Sequence, residues 1–448
     1  MLNRRHFLGA TAGAAVTTLT AQAQTPRPNI LMILADDLGY ECLGCNGGTS
    51  YRTPHLDRMA AEGVRFTNGY AQPLCTPTRL QLMSGLYNNR NWLGFGLMPP
   101  KTTTFGHRMS RAGYKTAMAG KWQFWSYNPP DYHPEDRGKG MLAKDAGFDT
   151  YSVWHAGHTE DKGSRYGDPT YEENGKLFKN MKDQYGDDHW SQHLLSFFDS
   201  NKGKPVFAYY PMALTHGPFN PTPKSDGWTT KRLKNDKVYF KDMVEYMDEV
   251  VGRTISGLDK QGVLDNTIVL FFGDNGTPRE ITSRMGDRVI QGGKGLPTDA
   301  GTHVPMLGYW RGTAPRGKVC DDLIDTTDFL PTMLDAAGVN PARALGPNET
   351  PLDGRSFLPQ LKGQRGNPRD WIYCWHDPRP GWDKDEYKLE EWARTKRFKL
   401  YRDGRLFNVP ADPDEQRPLP PNAGPEAAAA RRTLQPVLDK MKRTAAPA

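Results

Sequence analysis

Residues 75–79 read Cys-Thr-Pro-Thr-Arg and place a thiol and a guanidinium four positions apart. We expect Thr76 to cap a helix and Pro77 to occupy its first turn, which puts Cys75 at a helix N-terminus. Free N–H groups and the helix dipole favour anions there, and Arg79 adds a positive charge about one turn along. The segment therefore predicts an activated cysteine that faces an anion pocket, although a loop cysteine beside a structural arginine has the same sequence.

Two apolar runs, residues 29–35 and 267–272, lead into side chains that carry oxygen donors. Three carboxylates and one amide form a hard donor set that suits Ca²⁺, with Mg²⁺ as the second choice, whereas zinc recruits His or Cys. Isolated Asp-Asp and Asp-Asn pairs are usually turn or cap residues, but each pair here ends a buried run. The predicted metal ligands are Asp36, Asp37, Asp274 and Asn275.

A sheet must bring these side chains together. Two further apolar runs, residues 114–119 and 206–210, lead to Lys121 and His216. Strands buried on both faces are typical of a mainly parallel sheet, and the ligand crevice of an open α/β sheet lies beyond the carboxyl ends of its strands. We therefore predict an α/β fold in which the four polar clusters converge at one edge of the sheet.

Helical patterns alternate with the strands. The composition then changes at a Pro- and Gly-rich stretch over residues 341–354. Such a stretch indicates a domain boundary. We predict a catalytic domain over residues 25–345, with helices flanking the sheet. We expect a smaller C-terminal α+β domain over residues 346–448, ending in a disordered tail.

The N-terminus has the features of an export signal. Residues 3–8 read Asn-Arg-Arg-His-Phe-Leu and open a weakly apolar stretch that ends in Ala-Gln-Ala at residues 21–23. The paired arginines, Arg4 and Arg5, indicate the twin-arginine type. We predict that residues 1–24 direct export to the periplasm or cell exterior, and no later apolar run is long enough to span a bilayer.

Composition narrows the class of protein. The formal net charge is +7, from 58 Lys and Arg against 51 Asp and Glu, and the two signs are interleaved along the chain. No basic helix, zinc finger or aromatic-basic motif is present, so we expect no nucleic-acid partner. Five cysteines leave at least one outside any disulfide scheme, and Cys75 is our candidate for it. The pairing of Cys42, Cys45, Cys320 and Cys374 stays open.

A series of segments, which follow one another along the chain, resembles the sulfatase family of the alkaline-phosphatase superfamily. The resemblance implies an alkaline-phosphatase-like fold and hydrolysis of sulfate esters. It also implies that a maturation enzyme oxidises Cys75 to formylglycine, whose hydrate attacks sulfur. The segments that carry it are residues 29–40, 53–57, 66–79, 120–122, 216, 273–276, 292–295 and 412–415.

The resemblance also implies a role for each residue of the site. The four oxygen donors would bind the calcium ion, with the modified Cys75 close to it, and Arg79 would support the aldehyde hydrate. Several fixed positive charges in a water-poor crevice suit an adduct that carries two negative charges. The residues implied for binding the sulfate and the leaving group are Lys121, His216 and Lys294.

One departure from the family pattern concerns Gln123. Many members continue the lysine motif as Lys-Trp-His, whereas this chain has Lys-Trp-Gln. Glutamine cannot act as a base, so the proton relay assigned to that histidine is in question. Either another group takes over the role, with His155 and His158 of the following loop as candidates, or turnover is altered.

Two other functions remain open at this point. A phosphonate or phosphate ester hydrolase of the same superfamily would use the same residues on another tetrahedral anion. A non-catalytic protein that binds sulfated glycans is the other alternative, and Gln123 is the feature that suggests it. Residues 124–188 and 219–236 are rich in Trp, Tyr, His, Lys and Asp, which favours a carbohydrate sulfate as the substrate.

Overall fold

The computed structural model describes residues 27–341 and 350–444, without the side chains of 443 and 444. The predicted signal peptide, residues 1–24, and the predicted domain boundary after residue 345 lie outside the described residues. So does the end of the predicted tail, residues 445–448.

The described residues form sixteen strands and ten α-helices. The strands are β1 (Asn29–Ala35), β2 (Val64–Tyr70), β3 (Lys115–Lys121), β4 (Thr150–Trp154), β5 (Tyr171–Glu173), β6 (Lys176–Phe178), β7 (Val206–Pro211), β8 (Thr267–Gly273), β9 (Thr282–Met285), β10 (Arg288–Gln291), β11 (Met306–Tyr309), β12 (Lys318–Asp325), β13 (Ile372–His376), β14 (Glu390–Arg394), β15 (Phe398–Tyr401) and β16 (Leu406–Asn408). The helices are α1 (Pro54–Glu62), α2 (Cys75–Ser84), α3 (Phe105–Arg111), α4 (Gly186–Ser200), α5 (Trp228–Lys231), α6 (Tyr239–Lys260), α7 (Asp299–Thr302), α8 (Phe329–Ala336), α9 (Leu358–Leu361) and α10 (Pro425–Thr444).

A ten-stranded sheet forms the centre of the fold, in the order β12-β2-β11-β8-β1-β7-β3-β4-β5-β6. The central strands β8, β1, β7, β3 and β4 are parallel. The four runs predicted as strands are neighbours in this sheet, so their carboxyl ends lie along one edge. The predicted α/β fold with a mainly parallel sheet is confirmed.

Helices cover both faces of this sheet. Alternate residues of β1 point to opposite sides: Leu31 belongs to the core that contains Met247 of α6, and Met32 belongs to the core that contains Phe105 of α3. Because all seven residues of β1 are buried, the strand reads as a continuous apolar run.

A second sheet follows in the C-terminal part of the chain. Strands β13, β14, β15 and β16 pair in antiparallel order, and α10 packs on them through Leu434 and Leu438. Arg394 of β14 lies 4.1 Å above the ring of Tyr70, so the small sheet contacts the large one. The α+β content predicted here is found, while the division at residue 345 stays a prediction.

Candidate active site

The three predicted carboxylate ligands lie together at the ends of β1 and β8. Asp36, Asp37 and Asp274 are each at most 1 % exposed. The Asp37 main-chain N–H donates to Asp274 Oδ1 at 3.0 Å, which joins the two strand ends. Ligand atoms of Asp36, Asp274 and Cys75 all lie within 4.8 Å of one another. The structure therefore gathers residues that are far apart in sequence around one small space.

Each of these carboxylates has a cationic partner. Buried charges are tolerated when they are paired in this way. The pairs are Lys121 Nζ to Asp36 Oδ2 at 2.8 Å, Lys294 Nζ to Asp37 Oδ2 at 2.6 Å, and Arg79 Nε to Asp274 Oδ2 at 2.9 Å.

Burial and mutual repulsion act strongly on the carboxylates. Burial, reinforced by the charge of Asp36, raises the pKa of Asp274 to about 8. Burial also raises the pKa of Asp37, against the attraction of Lys294. At Asp36 burial acts upward too, but the surrounding cations, led by Lys121, hold the pKa well below its usual range. A divalent cation relieves this crowding of negative charge.

The donor set fits a hard divalent metal ion. Asp36 Oδ1 and Asn275 Oδ1 are buried and have no hydrogen-bond partner among the described residues. Asn275 Nδ2 donates to Asp37 Oδ1 at 2.8 Å, so the amide oxygen is left for another partner. Oxygen donors of this kind are the ligands that Ca²⁺ prefers.

Cys75 is the first residue of α2, so the helix begins two positions earlier than the sequence suggested. Leu74, not Thr76, is the N-cap residue, and Pro77 is therefore the third helical residue. The Thr76 hydroxyl instead accepts from the Gly96 N–H at 3.2 Å. The local pattern missed this because Thr76 is engaged by a distant loop. Cys75 still lies at a helix N-terminus, the position predicted for it.

Thr78 attaches the start of α2 to the carboxylates. Its hydroxyl donates to the main-chain oxygen of Asp274 at 2.6 Å. Arg79, on the same turn, is only 2 % exposed, and its Nη2 lies 2.9 Å from Asp274 Oδ2. The helix that carries Cys75 is thereby held at the carboxyl end of β8.

His216 and Lys294 form the other wall of the site. Lys294 Nζ lies 3.0 Å from His216 Nε2, while His216 Nδ1 contacts the Gly217 carbonyl. Burial and the positive charge of Lys294 lower the pKa of His216 well below its usual value. His216 is therefore neutral at ordinary pH, and Lys294 donates to it.

A cavity of about 310 Å³ opens onto these residues. Cys75, His216 and Lys294 line it, together with aromatic and charged side chains from the surrounding loops. The volume lies within the usual range for small-molecule sites, about 300–1,000 Å³. The site is therefore a cavity that opens onto Cys75, which lies beside the buried carboxylates.

Several lining residues could not be found from sequence. Arg165 lies in the long loop after β4, with Nη1 3.9 Å from Asp36 Oδ2 and the guanidinium 3.8 Å above the Trp154 ring. Lys384 and Tyr387 come from the segment between β13 and β14 and reach the same cavity. A single arginine or tyrosine in a loop carries no pattern that marks it, although the predicted substrate loop does contain Arg165.

Gln123 lines the cavity, and its side-chain oxygen is buried without a hydrogen-bond partner among the described residues. The residues suggested to replace its histidine lie nearby: the Gln123 N–H donates to the His155 carbonyl at 3.2 Å. Burial, with the charges of Lys162 and Arg165, lowers the pKa of His155 well below its usual value. His158 is hydrogen bonded to a serine through Nδ1. Within the described part of the chain, neither histidine lines the cavity.

A mainly parallel sheet with a buried acidic cluster at its carboxyl edge is the architecture of the alkaline-phosphatase fold. Residues 28–339 match the sequence model of the family described as Sulfatase. The chain belongs to the sulfatase family and is an enzyme of the sulfuric ester hydrolase class.

One relative in sequence is named a sulfatase, and two solved structures share the fold. The chain is 29 % identical to the N-acetylgalactosamine-6-sulfatase of Canis lupus familiaris, over 85 % of this chain and 74 % of that protein. The crystal structure of Ps i-CgsB in complex with k-i-k-neocarrahexaose has a TM-score of 0.72 and 24 % identity, covering 94 % of each chain. The phosphonate monoester hydrolase of Agrobacterium radiobacter has a TM-score of 0.65 and 20 % identity, over 94 % of this chain and 96 % of that one. At these identities the structures show a shared fold.

Proposed function

We propose that this sulfatase hydrolyses sulfate esters of carbohydrates with a formylglycine made from Cys75 and a bound calcium ion. The observation that carries the proposal is the position of Cys75, at a helix N-terminus within 4.8 Å of ligand atoms of Asp36 and Asp274. The carbohydrate part is supported by the names of similar proteins, an N-acetylgalactosamine-6-sulfatase and a protein solved with an oligosaccharide.

Formylglycine would supply a hydrated aldehyde as the nucleophile toward sulfur, and a bound calcium ion would supply positive charge to the site. The calcium ligands would be Asp36, Asp37, Asp274 and Asn275, with the modified Cys75 close to the ion.

The protein's own cations would stabilise the transition state. Arg79 and Lys121 are held rigidly by buried carboxylates, so their charges need no rearrangement during the reaction. On the cavity side, Lys294 donates to Nε2 of the neutral His216. This pair holds a proton at the wall where we place the leaving oxygen.

The test is sulfate release by protein made in a host that contains the maturation enzyme. We expect hydrolysis of p-nitrophenyl sulfate and of sulfated monosaccharides, and no activity in Cys75→Ala. Lys176→Ala, at an exposed position of β6, is the matched control and should keep full activity. Matured protein that releases no sulfate from any ester would contradict the proposal and favour the non-catalytic glycan-binding alternative that Gln123 suggests.

The second candidate function is phosphonate or phosphate ester hydrolysis, favoured by the fold shared with a phosphonate monoester hydrolase. Sulfate and phosphate esters of one phenol separate the two. We expect kcat/KM for p-nitrophenyl sulfate to exceed that for p-nitrophenyl phosphate. The reverse order would make the phosphate or phosphonate reaction the main one.

We also propose export by the twin-arginine route, supported by the sequence of residues 1–24, and a catalytic domain that ends near residue 345. Within residues 27–341 and 350–444, no helix combines the length and apolar character needed to cross a membrane. Changing Arg4 and Arg5 together to Lys should leave the precursor in the cytoplasm, as measured by cell fractionation. Unchanged export of that variant would indicate another route.

A further inference from the structure

Two positively charged residues at the cavity, Lys162 and Arg165, have no close carboxylate partner in the part of the chain that the structure describes: Arg165 Nη1 lies 3.9 Å from Asp36 Oδ2, which already pairs with Lys121 at 2.8 Å. The three carboxylates at the strand ends, called here the inner carboxylates, are already paired: Asp36 with Lys121, Asp37 with Lys294, and Asp274 with Arg79. Lys162 makes no ion pair among the described residues, and Arg165 Nη1 is buried without a hydrogen-bond partner there. Burial of a charge without a partner is costly, so such a pair indicates a missing anion.

The electrostatic environment of these residues is positive. Burial, with the charges of Arg165 and Lys121, lowers the pKa of Lys162 to about 8. The same cations act on His155, whose pKa is lowered well below its usual value, mainly by burial. This part of the cavity therefore attracts negative charge beyond that of the inner carboxylates.

The acidic residues that also line the cavity neutralise this pair only in part: the charge of Asp383 raises the pKa of Lys162, but burial and the charges of Arg165 and Lys121 lower it more. Asp383 contacts Lys384 and accepts a hydrogen bond from Tyr127 Oη at 3.2 Å. Glu280 and Glu386 are exposed, so solvent and salt screen their charges. Arg165, by contrast, is only 7 % exposed.

An aromatic wall lies on the same cavity. Phe95 and Tyr127 pack edge to face with ring centroids 4.7 Å apart, and both line the cavity with Tyr387. Aromatic side chains next to fixed charges suit a ring-shaped ligand that carries ionic substituents. The cavity therefore has surfaces for a sugar ring as well as for anions.

We propose that Lys162 and Arg165 bind a second anionic group of the substrate, a carboxylate or a further sulfate, beside the sulfate that is cleaved. This inference rests on the proposed function and narrows its substrate class to sugars with at least two negative charges. Arg165 lies closer to the inner carboxylates, at 3.9 Å from Asp36, and Lys162 makes no comparable contact. Lys162 is therefore the residue to test.

The test compares two matched pairs of sugars that differ in one charge. N-acetylglucosamine-6-sulfate and D-glucosamine-2-N,6-O-disulfate test a second sulfate, and glucose-2-sulfate and glucuronate-2-sulfate test a carboxylate. We expect the doubly charged member of at least one pair to have about tenfold higher kcat/KM, since a charge-assisted contact has that magnitude. The pair that shows the preference identifies the anion.

A binding measurement separates this inference from the reaction. Calorimetry on Cys75→Ala, which we expect not to turn over substrate, gives the Kd of each sugar, and the doubly charged member should again bind about tenfold more tightly. If no ester, p-nitrophenyl sulfate included, is hydrolysed by matured protein, the proposed function fails while the calorimetric preference still decides the second anion.

Variants of Lys162 assign the preference to its charge. Lys162→Met should reduce the ratio within the preferred pair to about one, and Lys162→Arg should retain it. Lys144→Met, at an exposed position, is the control and should leave the ratio unchanged. Equal binding within both pairs, tighter binding of the singly charged sugars, or a preference that survives Lys162→Met would each overturn the proposal.

Discussion

Lys121 and Asp36 form an ion pair from which solvent is excluded: Nζ lies 2.8 Å from Oδ2, and neither side chain is exposed. Without Lys121, Asp36 keeps only the longer ion pairs with Arg79 at 3.5 Å and Arg165 at 3.9 Å, and breaking a buried pair costs about 3–5 kcal/mol. We expect Lys121→Ala to lower the free energy of unfolding by about this amount in urea titrations. Lys139→Ala breaks an exposed pair and should cost less than about 1 kcal/mol. A similar small effect for both variants would contradict the burial of the Lys121 pair.

Calcium should stabilise the folded protein through the carboxylate cluster. A ligand that binds only the folded state at about 100 times its Kd adds roughly 2.7 kcal/mol. We therefore expect chelator-treated protein to melt at a higher temperature after calcium is added, and Asp274→Ala to lose both this shift and the activity. Asp226→Ala, at an exposed position, should keep both. Full activity of Asp274→Ala in metal-free buffer would remove the metal assignment.

Cys75 should carry an aldehyde in the active enzyme. A thiol lacks the second hydroxyl that allows a covalent sulfate adduct to be released by elimination, and the aldehyde hydrate has it. Mass spectrometry of the peptide over residues 73–79 should show formylglycine in protein from a competent host. Cys320→Ala, which changes a free cysteine, should leave the modification and the activity intact. An unmodified thiol in fully active protein would refute the mechanism.

Restoring histidine at position 123 tests the departure from the family pattern. General acid or base catalysis contributes about 10²–10⁴-fold, and Gln123 lines the cavity but cannot transfer a proton. We expect Gln123→His to raise kcat at least about tenfold for sugar sulfates, and less for p-nitrophenyl sulfate, whose leaving group needs less protonation. Gln123→Asn is the control, since it restores no base. An unchanged kcat in Gln123→His would mean that another group already transfers the proton.

Asp187 should make stability depend on pH. Burial raises its pKa from 3.8 to about 8, so between these values the folded protein keeps a proton that the unfolded chain has released. Stability from this proton is present at low pH and is lost as the pH rises through about 8. Asp187→Asn, which cannot ionise, should therefore melt above the wild type at about pH 8.5, with the difference shrinking toward about pH 4. Scanning calorimetry across this range checks it, and a difference independent of pH would contradict it.

The central strands could be predicted from the sequence because each of them is buried on both faces and is therefore a continuous apolar run. The run at residues 29–35 coincides with β1 (Asn29–Ala35). Thr53 and Gly63 flank α1, although Thr53 makes no capping hydrogen bond and Gly63 is not left-handed. The strand predicted over residues 114–119 ends too early, since β3 continues through Lys121. A glycine and a lysine give no apolar pattern, and hydrogen bonds to neighbouring strands extend β3 over them.

The inner site could be predicted because its residues follow strands or begin a helix. The rest of the cavity lining could not be predicted, since Lys162, Arg165 and Tyr387 lie in irregular segments whose positions depend on tertiary packing. The start of α2 shows the same limit: Thr76 has a good capping side chain, yet it is bonded to Gly96. Local patterns locate the chemistry here more reliably than they locate what selects the substrate.

The segment between β13 and β14 supplies Lys384 and Tyr387 to the cavity wall, although it lies beyond residues 28–339, which match the family. Part of the wall that contacts the substrate is thus encoded outside the stretch that supplies the catalytic groups, while Lys162 and Arg165 lie within it. Mutations in the segment between β13 and β14 can change which molecules enter the cavity without changing Cys75 or the carboxylates beside it. Related enzymes can therefore differ in the substrates they accept while the hydrolysis of the sulfate ester stays the same.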